Sequence, residues 1–258
     1  MAADERSPRS TPGRGVWLAF SWLTVIPLPQ PRFTVDRSAG RAAIAAAPVV
    51  GLVLGAAVAA LSAALAASAL PAVAIGALCV ALLALVTRGM HLDGLADTTD
   101  GLGSMRPPED ARAVMRSGPV GPFGAACLAI VLLVQATVVG ALASDHRWGA
   151  IVVAVALGRV GVVLACHRSL PASDGGFGAL VGATQRFSAP TWAAIALVGS
   201  VLADTGQWWR GPVVSAVVLA GVLLWTRHCA RRLGGVSGDV LGSAVELTTT
   251  AALVGFAL

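Results

Sequence analysis

Three aspartates fall within eight positions of a chain that has only thirteen acidic residues: Asp93, Asp97 and Asp100. At about 100° per residue, a helix through this stretch places the three carboxylates within an arc of about 60°. Carboxylates crowded in this way repel one another unless a cation lies among them. Oxygen-rich clusters bind hard cations, and Mg²⁺ is the usual occupant where phosphate is also bound. The spacing therefore predicts a magnesium site, and a solvated acidic turn after a helix is the alternative.

A second acidic pair, Asp239 and Glu246, is seven residues apart and shares one face of a predicted helix. A glutamate seven residues into a membrane span is costly, and such a residue usually faces the bundle interior with a partner. We predict that both carboxylates join the first three as metal ligands and catalytic residues. A structural pair with an arginine is the alternative. The glycines before this helix, Gly234, Gly235 and Gly238, leave backbone N–H groups accessible to an anion.

Basic residues close to both acidic groups predict phosphate binding. Arg112 and Arg116 are four apart on one helix face, so they form either a phosphate clamp or a loop that only sets topology. Arg159 stands alone within an apolar run and is predicted to pair with a carboxylate. The candidate substrate- or phosphate-binding side chains are Arg88, His91, Arg112, Arg116, Arg159, Arg231 and Arg232. The glycine-rich residues 171–180 predict a mobile substrate loop, or a loose cover.

The composition places these residues in a membrane protein. Hydrophobic residues make up 56% of the chain and charged residues 12%, and the mean hydropathy is +0.79. Soluble domains carry about 25% charged residues, so a soluble fold is excluded. Apolar runs long enough to cross a bilayer recur along the whole length. The fold class predicted is all-α: a polytopic membrane helix bundle of about seven transmembrane helices plus a short N-terminal interfacial or re-entrant helix.

The chain divides into a short tail and one membrane domain. Residues 1–14 are polar and are predicted to be a disordered tail. Residues 15–30 contain Trp17, Trp22 and several prolines and are predicted to form the interfacial helix. Residues 15–258 then form a single integral membrane catalytic domain. The predicted spans are 43–67, 71–89, 123–143, 148–166, 190–204, 211–227 and 239–258.

The arginines predict the orientation in the membrane. The chain has no lysine, so its 18 basic residues are all arginine, and its formal net charge is +5. Placing the N-terminal segment, 88–122, 167–189 and 227–238 on one side gathers fifteen arginines there and leaves two on the other side. This bias predicts that the first side is the cytoplasmic face of the cell membrane and carries the active site. Because the arginines lie in short loops between spans, membrane lipid is a predicted partner and nucleic acid is not.

Three motifs taken together resemble a known family. They are HLDGLADTTDG (91–101), RAVMRSGPVGPFG (112–124) and RRLGGVSGDVLGSAVEL (231–247), and they are similar to the cobalamin synthase family of adenosylcobinamide-GDP ribazoletransferases. The stretches 20–29 and 48–55 also resemble the opening of that family, so the likeness covers essentially the whole chain. The family usually has an acidic and a second basic residue in the second motif, where this chain has Ser117 and Pro119.

The resemblance implies an integral membrane enzyme of late cobalamin synthesis. Such an enzyme joins α-ribazole, or its 5′-phosphate, to adenosylcobinamide-GDP, releases GMP and uses Mg²⁺. Arg116 falls where the family usually has a lysine or arginine. Candidate protein partners are a second copy of the chain and other enzymes of the same pathway. The residues that fall on the family's acidic positions are Asp93, Asp97, Asp100, Asp239 and Glu246.

Two other functions fit parts of the sequence. A CDP-alcohol phosphotransferase also uses aspartates on membrane helices, but its motif has Ala-Arg soon after Asp-Gly, and here Asp93 and Gly94 are followed by Leu-Ala-Asp. An ion- or proton-coupled transporter also lines its path with buried acidic and basic residues. Against a transporter, the acidic residues cluster at one face of the membrane, and no inverted repeat is visible in the hydropathy.

Overall fold

The computed structural model of the protein describes residues 12–29, 35–203 and 206–258. In this part of the chain the backbone forms eleven α-helices, one short 3₁₀ helix and no β-strand, which confirms the predicted all-α fold. The helices are α1 (Pro12–Leu23), α2 (Arg37–Ala66), α3 (Ala72–Val86), α4 (Met90–Gly103), α5 (Pro108–Met115), α6 (Pro122–Ser144), α7 (Trp148–Ala165), α8 (Gly176–Val181), α9 (Ser188–Gly199), α10 (Arg210–Leu233) and α11 (Gly238–Ala257), and the 3₁₀ helix Ser200–Ala203 directly follows α9.

Five of these helices are long and apolar enough to cross a membrane: α2, α6, α7, α10 and α11. Helices α3 and α4 meet the same criterion only when taken together, and they are bent by 91° at the break between them. The count is therefore five or six in the described residues, against the seven predicted. The predicted spans 71–89 and 190–204 correspond to α3, of 15 residues, and to the shorter apolar stretch Ser188–Ala203. A helix of 15 residues is about 22 Å long, less than the hydrocarbon core of about 30 Å.

The break between α3 and α4 is a helix C-cap formed by Arg88 and Gly89. Both residues have left-handed backbone conformations, with φ of 57° and 66°. The Gly89 N–H donates to Ala84 O at 2.7 Å and the Arg88 N–H donates to Leu85 O at 3.1 Å, which is the Schellman pattern that ends a helix. Helix α4 therefore begins anew at Met90 and leaves the direction of α3. As predicted, the acidic stretch lies just beyond an apolar helix, outside the five long spans.

The predicted N-terminal interfacial helix corresponds to α1, which packs against α2. A Cβ placed on Gly15 would lie 2.7 Å from Ala42 O, so the two backbones are in close contact. Helix α1 begins at Pro12, before the predicted end of the tail at residue 14, because proline is favourable in the first turn of a helix. The rest of the predicted tail, residues 1–11, lies outside the described residues.

Helix α4 is held by α11, and the close approach depends on glycine. A Cβ placed on Gly94 would lie 2.8 Å from Asp239 O and 2.9 Å from Asp239 Cα. On the other side of the contact, a Cβ on Gly242 would lie 3.3 Å from both His91 Cα and Gly94 Cα. Small residues allow helix backbones to approach in this way. The contact places the start of α11 directly beside the acidic face of α4.

Replacing Gly94 with alanine is expected to push α4 away from α11. The added methyl group has no space against the Asp239 backbone, and overpacking of this kind costs about 1–3 kcal/mol. Gly221→Ala is the matched control, because nothing lies within 4 Å of a Cβ at Gly221 in α10. Thermal melting in detergent should show a lower melting temperature for Gly94→Ala and an unchanged or higher one for Gly221→Ala. Equal melting of the two variants would mean that the contact between α4 and α11 is not tight.

Candidate active site

One end of the bundle holds an open cavity of about 690 Å³, within the usual size range of small-molecule sites. Its wall combines residues of three regions that the sequence analysis singled out: α5 and its C-cap, the loop before α8, and the glycine-rich turn before α11. The polar side chains that line it include Arg112, Arg116, Ser173, Asp174, Ser237 and Asp239. The fold therefore brings the predicted basic loop, the predicted substrate loop and one predicted acidic residue to a single cavity.

Backbone contacts tie the loop before α8 to the turn before α11. The Val236 N–H donates to Pro171 O at 2.9 Å, and the Ser173 N–H donates to Val236 O at 3.1 Å. Ser237 then caps α11 by accepting from the Val240 N–H at 3.3 Å. These contacts fix the first turn of α11, so the position of Asp239 at the cavity wall is set by the backbone.

Arg112 and Arg116 reach the cavity from α5 and its C-cap, as the predicted phosphate clamp requires. Nη1 of Arg112 donates to Leu233 O at 3.1 Å, at the C-terminal end of α10. A cation is favourable at that end of a helix, so Arg112 also stabilises the turn that follows. In that turn Gly234 has φ of 74°, a conformation that favours glycine. The role of the two arginines toward phosphate stays a prediction.

Asp97 and Asp239 lie near each other across the contact between α4 and α11. Burial, together with the negative charges of Asp93, Asp239 and Asp100, raises the pKa of Asp97 to about 6. Asp93 is exposed and Asp97 is half-buried, so both carboxylates are accessible from solvent. A cluster of carboxylates that repel one another binds a proton or a cation more readily than an isolated aspartate does.

Asp100 differs from its neighbours because its carboxylate is already engaged by the backbone. One oxygen accepts from the Gly121 N–H at 2.7 Å and the other accepts from the Gly124 N–H at 2.9 Å. These donors belong to the start of α6, where N–H groups have no partner within the helix. A negative charge there also interacts favourably with the helix dipole. Asp100 is buried, with 7% of its surface exposed, and it holds the N-terminal end of α6 to α4.

Glu246 lies two helical turns from Asp239 along α11, about 10 Å deeper in the bundle. Its carboxylate accepts from Gln135 Nε2 at 2.8 Å, and the same amide group donates to Thr250 Oγ1 at 2.9 Å. The carboxylate and the buried Arg159 guanidinium attract each other, and both line one small internal cavity with Gln135. Among the described carboxylates, that of Glu246 is therefore the one whose charge interacts with Arg159.

The other predicted substrate-binding residues lie outside the wall of the 690 Å³ cavity. Arg88 Nη2 donates to Trp22 O at 3.0 Å and so ties the bend after α3 to α1. His91 is buried next to α11, within electrostatic range of Arg159. Arg231 and Arg232 are in the last turn of α10. The structure brings Arg112 and Arg116 together with Asp239, but it does not bring these four residues to the same place.

A preformed metal site is not found among residues 12–29, 35–203 and 206–258, where no three His, Cys, Asp or Glu side chains are gathered closely enough. Mg²⁺ does not require one, because it keeps several water ligands and binds through one or two carboxylates plus the substrate's phosphates. The oxygen donors of Asp93, Asp97 and Asp239 fit this mode, since their mutual repulsion is what a divalent cation would offset. Metal binding by the five predicted carboxylates stays a prediction.

Gln135 and Phe177 were not among the site residues predicted from the sequence. Gln135 carries a rare polar side chain inside an apolar span, and its rarity could have indicated a partner for Glu246. Phe177 falls within the predicted substrate loop, but its sequence position does not reveal that it faces the cavity. Both contacts depend on how helices pack, which hydropathy does not describe.

Comparisons with known proteins agree with the family that the three motifs resemble. The family profile described as Cobalamin-5-phosphate synthase matches residues 15–257. Three relatives are each named adenosylcobinamide-GDP ribazoletransferase. The one from Frankia casuarinae is 39% identical over 93% of this chain and 93% of its own length. Those from Nocardioides sp. and Corynebacterium efficiens are 37% identical over 95% of this chain and 99% of the relative, and 36% identical over 93% and 90%. No solved structure matches the chain.

Proposed function

The chain belongs to the cobalamin-5-phosphate synthase family, and on that premise we propose that it performs the ribazole transfer for which its relatives are named. In this reaction a ribose hydroxyl of α-ribazole, or of its 5′-phosphate, attacks a phosphorus of the pyrophosphate in adenosylcobinamide-GDP. A phosphodiester bond to the corrinoid forms, the pyrophosphate bond breaks and GMP leaves. Membership of this family favours ribazole transfer over transport and over CDP-alcohol phosphotransfer.

The observation that carries this proposal is the meeting of the three family motifs at one end of the bundle. Arg112 and Arg116 come from the second motif and Asp239 from the third, and all three line the same cavity. Asp97 of the first motif lies close enough to Asp239 for their charges to interact. A phosphoryl transfer needs positioning and charge stabilisation more than covalent chemistry, and this set of side chains supplies both.

We assign phosphate binding to the two arginines. Guanidinium groups donate two parallel hydrogen bonds to phosphate oxygens, so Arg112 and Arg116 would hold the pyrophosphate against the acidic end of the cavity. Arg112 is already oriented by its bond to Leu233 O, which lowers the cost of holding its side chain still. The proton of the entering hydroxyl group would pass to a carboxylate of the site.

We propose Mg²⁺ as the cofactor, held by Asp93, Asp97 and Asp239. When bound, Mg²⁺ stabilises the negative charge that develops on the phosphate oxygens. Asp100 and Glu246 are left out of this narrower set because of their surroundings. Both oxygens of Asp100 accept backbone N–H groups, and Glu246 lies deeper in the bundle with Gln135 and Arg159. Their proposed role is to hold α6 and α11 in place.

The purified protein in detergent, supplied with adenosylcobinamide-GDP and α-ribazole or its 5′-phosphate, tests the reaction. We expect a cobalamin product and an equal amount of GMP when Mg²⁺ is present, and neither when it is chelated. Comparing the two ribazole forms at equal concentration identifies the preferred substrate. GMP release that does not depend on the ribazole would indicate a hydrolase. No product with any divalent cation would contradict the proposal.

We further propose that the cavity opens on the cytoplasmic side of the cell membrane. The fifteen-to-two distribution of arginines supports this side. Reporter fusions in the loop between α5 and α6 and in the loop between α6 and α7 should report opposite sides, with the first one cytoplasmic. The reverse pattern would place the cavity outside the cell and contradict the proposal.

A further inference from the structure

Of the described residues that line the 690 Å³ cavity, Phe177 carries the only aromatic ring. The side chain is 37% exposed, although its surroundings in the cavity wall are mostly polar or glycine. Exposing apolar surface of this size to water costs free energy. That cost is recovered when a flat apolar group covers the ring. A large apolar side chain in a polar cavity therefore indicates a ligand with an aromatic part.

The backbone holds Phe177 beside the acidic end of the cavity. A Cβ placed on Gly238 would lie 3.6 Å from the Cβ of Phe177, so the phenyl group starts next to the first turn of α11, one residue before Asp239. A Cβ on Gly178 would collide with Val236 O, which shows that α8 packs directly on the turn before α11. The position of the ring is thus fixed relative to Asp239.

A second aromatic side chain supports the ring from one side. Trp22 of α1 lies edge-to-face with Phe177, with ring centroids 5.4 Å apart and an interplanar angle of 77°. Such a contact stabilises a ring orientation without covering the whole ring. Gly175 and Gly176, which precede Phe177 in the chain, would have nothing within 4 Å of an added Cβ, so the space beside them is open.

The cavity offers a ligand two kinds of contact, one with charged side chains and one with an aromatic ring. Arg112 and Arg116 provide positive charge, and Phe177 provides a flat apolar surface in the same cavity. A nucleotide has this combination of groups, and about 690 Å³ lies within the usual size range of small-molecule sites. Both substrates of the proposed reaction carry a planar heteroaromatic base: the guanine of the GDP part, and the base of α-ribazole.

We propose that Phe177 is the base-stacking residue of this cavity and determines affinity for the heteroaromatic base of one of the two substrates. The inference rests on the proposed function, because that function supplies the ligands. Stacking is tolerant of the identity of the base, since every base presents a π-face. The shared chemistry is therefore a planar base, and kinetics with each substrate identify which base it is.

The test compares Phe177→Leu with Phe177→Tyr in the full-length protein in detergent. Leucine keeps apolar volume but removes the ring, and tyrosine keeps the ring. We expect Phe177→Leu to raise the KM for one substrate on the order of ten-fold with kcat nearly unchanged, and Phe177→Tyr to stay close to the unmodified protein. A rise in the KM for adenosylcobinamide-GDP assigns the ring to guanine, and a rise in the KM for α-ribazole assigns it to the ribazole base.

Phe187→Leu is the matched control, because Phe187 is also an exposed phenylalanine but does not line the cavity. It should leave both KM values unchanged. Unchanged KM values in Phe177→Leu would overturn the proposal and indicate that Phe177 and Trp22 only anchor the protein at the membrane surface. An equal rise in both KM values, or a rise that Phe177→Tyr does not reverse, would also overturn it. If the unmodified protein forms no product, the proposed function fails instead.

Discussion

Asp97→Asn is expected to lower Mg²⁺-dependent turnover by about a thousand-fold while the protein stays folded. Asp97 is repelled by Asp93, Asp239 and Asp100, so its charge is unfavourable in the metal-free protein. Neutralising it removes a ligand charge from the proposed metal site and relieves this repulsion at the same time. The measurement is paired: the initial rate at saturating Mg²⁺ and the melting temperature without metal, both in detergent. We expect a large loss of rate and an unchanged or higher melting temperature.

Asp100→Asn serves as the contrast for Asp97→Asn. An asparagine at position 100 keeps one acceptor oxygen and places an NH₂ group against an N–H of Gly121 or Gly124. A buried donor left without an acceptor costs about 1–3 kcal/mol, so this variant should melt earlier than the unmodified protein. If Asp97→Asn melts early and keeps a near-normal rate at low temperature, Asp97 stabilises the fold and our site assignment is wrong.

Arg159→Met is expected to destabilise the bundle strongly, by about 3 kcal/mol. Arg159 has 3% of its surface exposed, and its charge interacts with that of the Glu246 carboxylate. Methionine fills much of the same volume but leaves the Glu246 charge inside the membrane domain without its cation. The hydrogen bond from Gln135 remains and compensates only in part. Thermal melting in detergent should show the loss.

The double variant Arg159→Met with Glu246→Gln separates the charge effect from the packing effect. Removing both charges of a buried pair is often close to neutral, so the double variant should recover most of the melting temperature. A double variant that melts as early as Arg159→Met would show that the arginine acts through packing and that Glu246 does not depend on it. Retained activity in the double variant would support leaving Glu246 out of the metal site.

Hydropathy and helix periodicity were enough to predict the bundle and the acidic face of α4. Asp93, Asp97 and Asp100 lie on one helix of 14 residues, as their spacing indicates. The spacing of acidic residues on each predicted helix led us to expect Asp239 beside these aspartates. The contact that brings α4 and α11 together is a property of the fold, because a residue pattern does not say which helices pack together. Arg112 and Arg116 were likewise found where a phosphate clamp would require them.

The remaining features depend on contacts between distant parts of the chain. The predicted span 71–89 appears continuous in hydropathy, but Arg88 and Gly89 adopt left-handed conformations and end the helix. The N–H groups that bind Asp100 are 21 and 24 residues away in sequence. Gln135 and Glu246 are 111 residues apart. Spacing along one helix could not distinguish the carboxylates of Asp100 and Glu246 from those of Asp93, Asp97 and Asp239, which we assign to the metal.

Initial rates of GMP release by Asp97→Asn, Asp239→Asn and the double variant test most directly whether α4 and α11 form one metal-dependent active site. If both carboxylates hold the same Mg²⁺, either substitution alone removes most of the metal's contribution to the rate of GMP release. The double variant should then be within about three-fold of the slower single variant, because residues that act as a unit are not additive. Rate losses that multiply in the double variant would mean that Asp97 and Asp239 act independently, which would contradict a shared site.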